Sequence, residues 1–299
     1  MSNLPLVSIG IPLYNSEKTL RKALESLLNQ TYLKIEFIIS DNYSTDLTAS
    51  ICREYQEVDQ RIIFHQQKAN IGPTENFDFV LGQSTGEYFM WAAGDDFRSP
   101  NFVEVNLHFL LSNPNCVAAT SPNIHEDQDD EAKNFVNYAL EGTRTTRFKS
   151  FFQLPGASHG LFYSLMRTPV IKSCPYVSSK NFWGWDWAII LFLANLGSIH
   201  RSTEGSTIFG ASGVSRTGSQ YRSLGLTGIR RLLPFSKFNK KVFDMTETWS
   251  KKERIYVSYL LFGLNLKTLL KSNKISQVSF FYLKKLFTIT TSFIRKSWA

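Results

Sequence analysis

Three polar clusters each follow an apolar run in the first third of the chain: Pro12-Leu13-Tyr14-Asn15, Ser40-Asp41-Asn42 and Gly94-Asp95-Asp96. Adjacent carboxylates repel each other and are costly to gather without a counter-charge. A divalent cation that also binds diphosphate oxygens supplies that charge, and Mg2+ or Mn2+ suits a site of carboxylates plus phosphate. Capping of a helix starting near Pro100 is the alternative role for Asp95-Asp96. Further along, Asp186 stands among Trp183, Trp185 and Trp187. Apolar surroundings raise a carboxyl pKa from its free value of about 3.9, which turns a weak base into a usable one. Aromatic faces also suit the apolar faces of sugars. Capping a helix over 187–196 is the other role open to Asp186. His159, beside Gly160, is a candidate for acceptor binding, whereas His200 beside Arg201 reads as a strand residue with a satisfied ring.

The elements that must position these groups alternate. Residues 6–13 and 35–40 read as short buried strands, 61–65 and 87–92 as two more. Between them Leu20, Ala23, Leu24, Leu27 and Leu28 form one helical apolar stripe, and Leu47, Ile51, Tyr55 and Val58 another. Residues 74–82 complete a third helix. Strands alternating with helices predict βαβ units and a mostly parallel sheet covered on both faces. Ligands of such sheets bind beyond the carboxyl ends of the strands. All three polar clusters fall at that edge.

Several motifs, in order, resemble those of family 2 glycosyltransferases: Val7-Ser8-Ile9-Gly10-Ile11-Pro12-Leu13-Tyr14-Asn15, Gln30-Thr31-Tyr32, Glu36, residues 40–46, Asn70-Ile71-Gly72, Gly86-Glu87-Tyr88 and Gly94-Asp95-Asp96. The resemblance is strong over residues 5–120 and weaker to 215. It implies a GT-A fold, a Rossmann-like mostly parallel sheet flanked by helices, and an inverting transfer from a nucleotide-diphosphate sugar, UDP-sugars first. It implies further that Pro12 and Tyr14 lie against the nucleotide base, that Asp41 bonds the base edge, and that Asn15 and Asn42 line the same donor site. Asp95 and Asp96 take the place of the metal-binding DXD-like motif, with Asp96 the direct ligand of Mn2+ or Mg2+. Asp186 matches the general base, and His159, Trp183 and Trp185 fall where acceptors bind. Two departures stand out. Glu75 occupies a position where arginine is usual, and residues 209–215 hold neither the arginine nor the histidine found near the end of many such domains. Lys18, Arg98 and Arg216 are unranked candidates for assisting the leaving diphosphate.

The 299 residues carry a formal charge of +8, with 43% hydrophobic and 19% charged residues, which places the chain among globular proteins. The charge is uneven: residues 1–215 hold 16 basic and 22 acidic side chains, and residues 216–299 hold 17 and 3. An acidic body with a basic tail argues against nucleic acid as the partner. No G-x-G-x-x-G follows the first strand, which disfavours a dinucleotide-dependent oxidoreductase. A binding protein that kept the fold and lost catalysis is the remaining alternative. Cys52, Cys116 and Cys174 stand far apart without metal or disulfide spacing, as expected in a reducing cytosol. The first residues lack an export signal, and no run of about 18 apolar residues predicts a spanning helix. Residues 127–131 read as a solvated acidic loop. Two regions are expected: a catalytic domain over 1–215 and a basic helical C-terminal extension over 216–299. Within the extension, 278–294 reads as an amphipathic helix lying in a membrane interface, with a cap packed on the catalytic domain as the alternative. The expected setting is peripheral, at the cytoplasmic face of a membrane where cell-surface glycans are assembled on glycan or lipid-linked acceptors.

Overall fold

The computed structural model describes residues 4–125, 138–179, 182–210 and 235–272. The acidic run 127–131, Arg216, residues 211–215 and the 278–294 segment lie outside the described residues.

The first half alternates as its patterning predicts: β1 (Val7–Leu13), α1 (Leu20–Leu28), β2 (Ile35–Asp41), α2 (Thr48–Val58), β3 (Ile62–Gln66), α3 (Pro73–Gln83) and β4 (Tyr88–Trp91). There follow β5 (Phe97–Arg98), α4 (Phe102–Ser112), β6 (Cys116–Thr120), β7 (Asn123–His125) and α5 (Arg144–Gln153). A short 3-10 turn (Pro155–Ser158) leads into α6 (His159–Phe162), β8 (Leu165–Arg167), α7 (Thr168–Lys172), α8 (Trp185–Leu196), β9 (Ser198–Arg201) and β10 (Thr207–Phe209). Two helices, α9 (Ser236–Met245) and α10 (Lys251–Ser272), close the described chain.

Seven strands form the main sheet in the order β3-β2-β1-β4-β8-β6-β9, and β5, β10 and β7 form a small second sheet. All pairings of the main sheet are parallel except those of β8 with β4 and β6. This is the mixed α/β, mostly parallel sheet that the alternation implied, in the GT-A manner that the family resemblance implies. β1 carries the registration: Leu13 lies opposite Asp41, and Gly10 opposite Trp91. The chain therefore leaves β1, β2 and β4 at one edge.

Apolar cores fill both faces. One contains Leu20, Leu24 and Leu27 of α1 with Phe102 and Leu107 of α4, against Ile9, Ile11 and Phe37. The other packs Phe89 and Trp91 against α5 and α8, and extends through Phe238, Val242, Val257, Leu261 and Leu264 of α9 and α10. Arg144 of α5 and Glu253 of α10 add an ion pair at 3.1 Å. The start of the C-terminal region is thus part of the same core as the sheet. Among the described residues, no helix is long and apolar enough to cross a membrane.

Candidate active site

The edge where β1 and β2 end is braced from within. Ser40 donates its hydroxyl proton to Asn76 Oδ1 at 2.6 Å, and Asn76 Nδ2 donates to the Ser40 carbonyl at 3.1 Å, so the first turn of α3 clamps β2. Asn42 is wholly engaged in the neighbouring loop. Its Nδ2 donates to Asn70 Oδ1 and to the Gly72 carbonyl, both at 3.1 Å, and its Oδ1 accepts the Ile71 N–H at 2.8 Å. The amide that the resemblance placed at the donor shapes the loop beside it. Asp41 is buried under its own turn, accepting the Ser44 N–H at 3.2 Å and Gln66 Nε2 at 3.4 Å. Asn15 adopts a positive φ of 49°, and its Oδ1 accepts the Thr45 N–H at 2.9 Å, joining the β1 loop to the β2 loop. Tyr14 next to it is 51% exposed, an open aromatic face, while Pro12 is half-buried.

The acidic pair follows β4 by a few residues. Thr19 Oγ1 donates to the Gly94 carbonyl at 2.7 Å, fixing the loop to α1. Asp96 is 6% exposed, and its Oδ1 accepts the Gly210 N–H at 3.3 Å at the end of β10. Gly210 has to be glycine: a Cβ there would stand 2.2 Å from the Asp95 carbonyl oxygen. The α4 N-cap is Asn101, so neither aspartate caps that helix. Hard carboxylate oxygens are the donors that Mg2+ or Mn2+ takes, commonly one or two from the protein beside substrate phosphates. The described residues contain no cluster of three or more His, Cys, Asp or Glu side chains able to hold a metal.

Asp186 sits in the first turn of α8, behind Gly184, whose φ of 83° permits the left-handed N-cap. The carboxyl is half-buried, and burial pushes its pKa up to about 6, against the pull of the backbone N–H groups of Trp187 and Asp186. The preceding Trp185 belongs to a cluster of aromatic rings. Trp91 stacks on Phe162 at 4.7 Å, and Trp185 meets Phe162 at 5.5 Å and Phe77 at 5.7 Å. Trp185 is itself buried, its indole N–H donating to the Tyr176 carbonyl at 2.8 Å, so it packs in that cluster and offers no open face. Trp183 is half-buried and stacks on Phe235 at 4.1 Å. His159 is half-buried between Tyr163, 5.4 Å away, and Phe209, 5.2 Å away. His200 lies elsewhere, stacked on Phe109 and bonded to Glu141 at 2.7 Å.

Tyr163 joins the two halves. Burial raises its pKa first, and the charges of Asp96, Asp95 and Asp186 raise it further while Arg98 lowers it. One phenol therefore feels both the acidic pair and the α8 carboxylate. The sequence singled out neither this tyrosine nor its link to Arg98; its only signal is a position directly after the short α6.

Residues 8–168 match the model of the family described as Glycosyl transferase family 2, and the chain belongs to that family. A protein named as an uncharacterized glycosyltransferase from Haemophilus influenzae is 35% identical over 121 residues, 40% of this chain and 38% of that protein. The chain spans 38% and 44% of the length of two such Haemophilus relatives. The GalNAc(5)-diNAcBac-PP-undecaprenol beta-1,3-glucosyltransferase of Campylobacter jejuni is 25% identical over 279 residues, 90% of this chain and 87% of that one. The crystal structure of S. aureus TarS 1-349 shares the fold at a TM-score of 0.64 and 16% identity, covering 91% of this chain and 75% of that one. A complex of the same protein with UDP-GlcNAc aligns at 0.57.

Proposed function

We propose that the chain is an inverting glycosyltransferase that moves a sugar from a nucleotide-diphosphate donor, a UDP-sugar first, to a glycan or lipid-linked acceptor. The observation that carries this reading is Asp186 in the first turn of α8, its carboxyl raised to about 6 by burial, in a chain whose loop after β4 carries the Asp95-Asp96 pair. Inverting transfer needs a base near neutrality for the acceptor proton, and positive charge at the diphosphate assists the leaving group. The exposed ring of Tyr14, with Pro12, Asn15 and Asp41, receives the nucleotide. Asp186 accepts the proton of the acceptor hydroxyl as its oxygen attacks the sugar C1 from the face opposite the diphosphate. The C1–O bond to phosphate breaks, and its electron pair leaves on the diphosphate. Asp96 and Asp95 would hold Mn2+ or Mg2+, which would supply Lewis-acid stabilisation of that leaving charge. Trp183 and His159 border the acceptor side.

A relative named for a PP-undecaprenol-linked substrate and a fold neighbour with UDP-GlcNAc bound support this choice of acceptor and donor. The basic 216–299 region supports a peripheral position on an anionic, cytoplasmic membrane face in cell-surface polysaccharide or lipopolysaccharide assembly. The experiment is transfer from a panel of nucleotide-sugars to membrane-extracted acceptor, with wild type and Asp186→Asn. The substitution abolishes transfer and leaves donor affinity within a few-fold. Unchanged turnover removes Asp186 from the base role.

A further inference from the structure

Asp186 lies in the first turn of α8, and that turn is weakly held by its own helix. Its N-cap, Gly184, has a φ of 83° and contributes no side-chain hydrogen bond to the cap. The first N–H groups of a helix have no partner within it, so a first turn without a side-chain cap keeps its place through packing from outside. That packing comes from Phe235, the residue that leads into α9 and is 1% exposed. Its ring stacks on Trp183 at 4.1 Å and on Trp187 at 5.5 Å, the tryptophans on either side of Asp186 in the chain. Phe238, one helical turn on, closes on Gly184 itself, where a Cβ would stand 3.2 Å from the ring. Phe235 is anchored in turn. Its backbone N–H donates to Asn265 Oδ1 at 3.3 Å, and Asn265 Nδ2 donates to the Leu261 carbonyl at 2.8 Å and to Asn239 Oδ1 at 3.2 Å. At the far end of α8, Asn195 Nδ2 donates to the Met245 carbonyl at 3.2 Å, and its Oδ1 accepts the Trp249 indole N–H at 3.0 Å. The α9–α10 pair thus grips α8 at both ends.

We propose that Phe235 is a positioning residue for Asp186, and that the α9–α10 pair belongs to the framework of the active site although the sequence puts it in the extension beyond residue 215. The inference rests on the base role given to Asp186 for what the positioning achieves; the grip on α8 stands on the contacts alone. A general base acts only within hydrogen-bond reach of the proton it takes. A misplacement of about 1 Å can cost on the order of 100-fold in rate. Phe235 acts on where the carboxylate stands. The end of β2, on the nucleotide side, is braced separately by Asn76 of α3. Loss of the Phe235 ring therefore falls on the chemical step and spares the donor.

Phe235→Leu keeps an apolar side chain in the core and removes the stack, and two measurements on the full chain follow it. The first is hydrogen–deuterium exchange along α8, whose first internal bond runs from the Ala188 N–H to the Gly184 carbonyl at 2.9 Å. In Phe235→Leu the amides of 188–190 exchange about tenfold faster relative to those of 194–196. The second is the transfer assay, in which kcat falls about tenfold or more while the donor KM stays within a few-fold. Trp183→Leu removes the same stack from a half-buried position, and it shows the same exchange pattern should Phe235→Leu fail to fold. Unchanged exchange, equal acceleration along the whole of α8, or an intact kcat in Phe235→Leu overturns the proposal. Should Asp186→Asn keep full turnover, the base reading falls, and the exchange measurement still decides whether Phe235 holds α8.

Discussion

Keeping the buried Asp186 ionised costs stability, and the cost can be read from its pKa. The ordinary carboxyl value is 3.8 and burial raises it to about 6. That difference is worth ~3 kcal/mol in full, because each pH unit is about 1.36 kcal/mol. The folded carboxyl keeps its proton up to about pH 6, whereas the unfolded one releases it near 3.8. The folded state thus binds more protons across that window, so this group's contribution to stability is greatest below 3.8, declines as pH rises to about 6, and is flat above. Asp186→Asn removes the decline. At pH 8 the variant should be more stable than wild type by ~2–3 kcal/mol, about 5 °C in melting temperature for a chain of this size. At pH 4 the two should nearly coincide. The assay is differential scanning fluorimetry of both proteins from pH 4 to 8, beside the transfer assay, in which the stabilised variant is inactive. A variant that is no more stable at pH 8, or a gap that does not change with pH, would refute the reasoning.

Other outcomes follow from the same geometry. Asn42→Ala deletes the three hydrogen bonds that hold the 70–72 loop, and chemical denaturation should show a loss of about 1–3 kcal/mol. Its effect on nucleotide binding should come through the loop, appearing as weaker donor affinity with unchanged pH dependence of turnover. For the basic tail, Lys284→Glu with Lys285→Glu should weaken co-sedimentation with anionic liposomes at least ~10-fold, since each lysine near an anionic leaflet contributes roughly 1 kcal/mol. Undiminished pelleting would leave the tail without a membrane role.

The sheet edge was legible because buried parallel strands read as short apolar runs and the polar clusters interrupt them at fixed places. Several resembling motifs prove to be fold-determining in physical terms. Gln30 bonds the Ser99 carbonyl at 2.8 Å and the Val103 N–H at 3.0 Å, tying the end of α1 to the segment after β5. Glu36 accepts the Ser8 hydroxyl at 2.5 Å and the Thr85 N–H at 2.7 Å. What stayed hidden depends on pairing between distant segments. The three residues of β8 insert antiparallel between β4 and β6, and two-residue β5 finds its partner in β10, more than a hundred positions away. No local period announces either. Tyr163 was hidden for that reason: Arg98 at the end of β5 and Asp186 of α8 come near it only after the chain closes. Trp185 shows the reverse case, since its spacing beside Asp186 suggested an open sugar platform and the fold spends its indole on the core.

The proposed function requires that the edge of β1, β2 and β4 bind a nucleotide-diphosphate sugar through a metal on Asp96. Isothermal titration of nucleotide-sugars into wild type and Asp96→Ala, each with Mn2+ and with chelator, tests it most directly. The account predicts that at least one donor binds wild type, more tightly with Mn2+, and that Asp96→Ala loses the metal-dependent part. Donor binding that ignores Mn2+ in wild type, or that survives unchanged in Asp96→Ala, would contradict it.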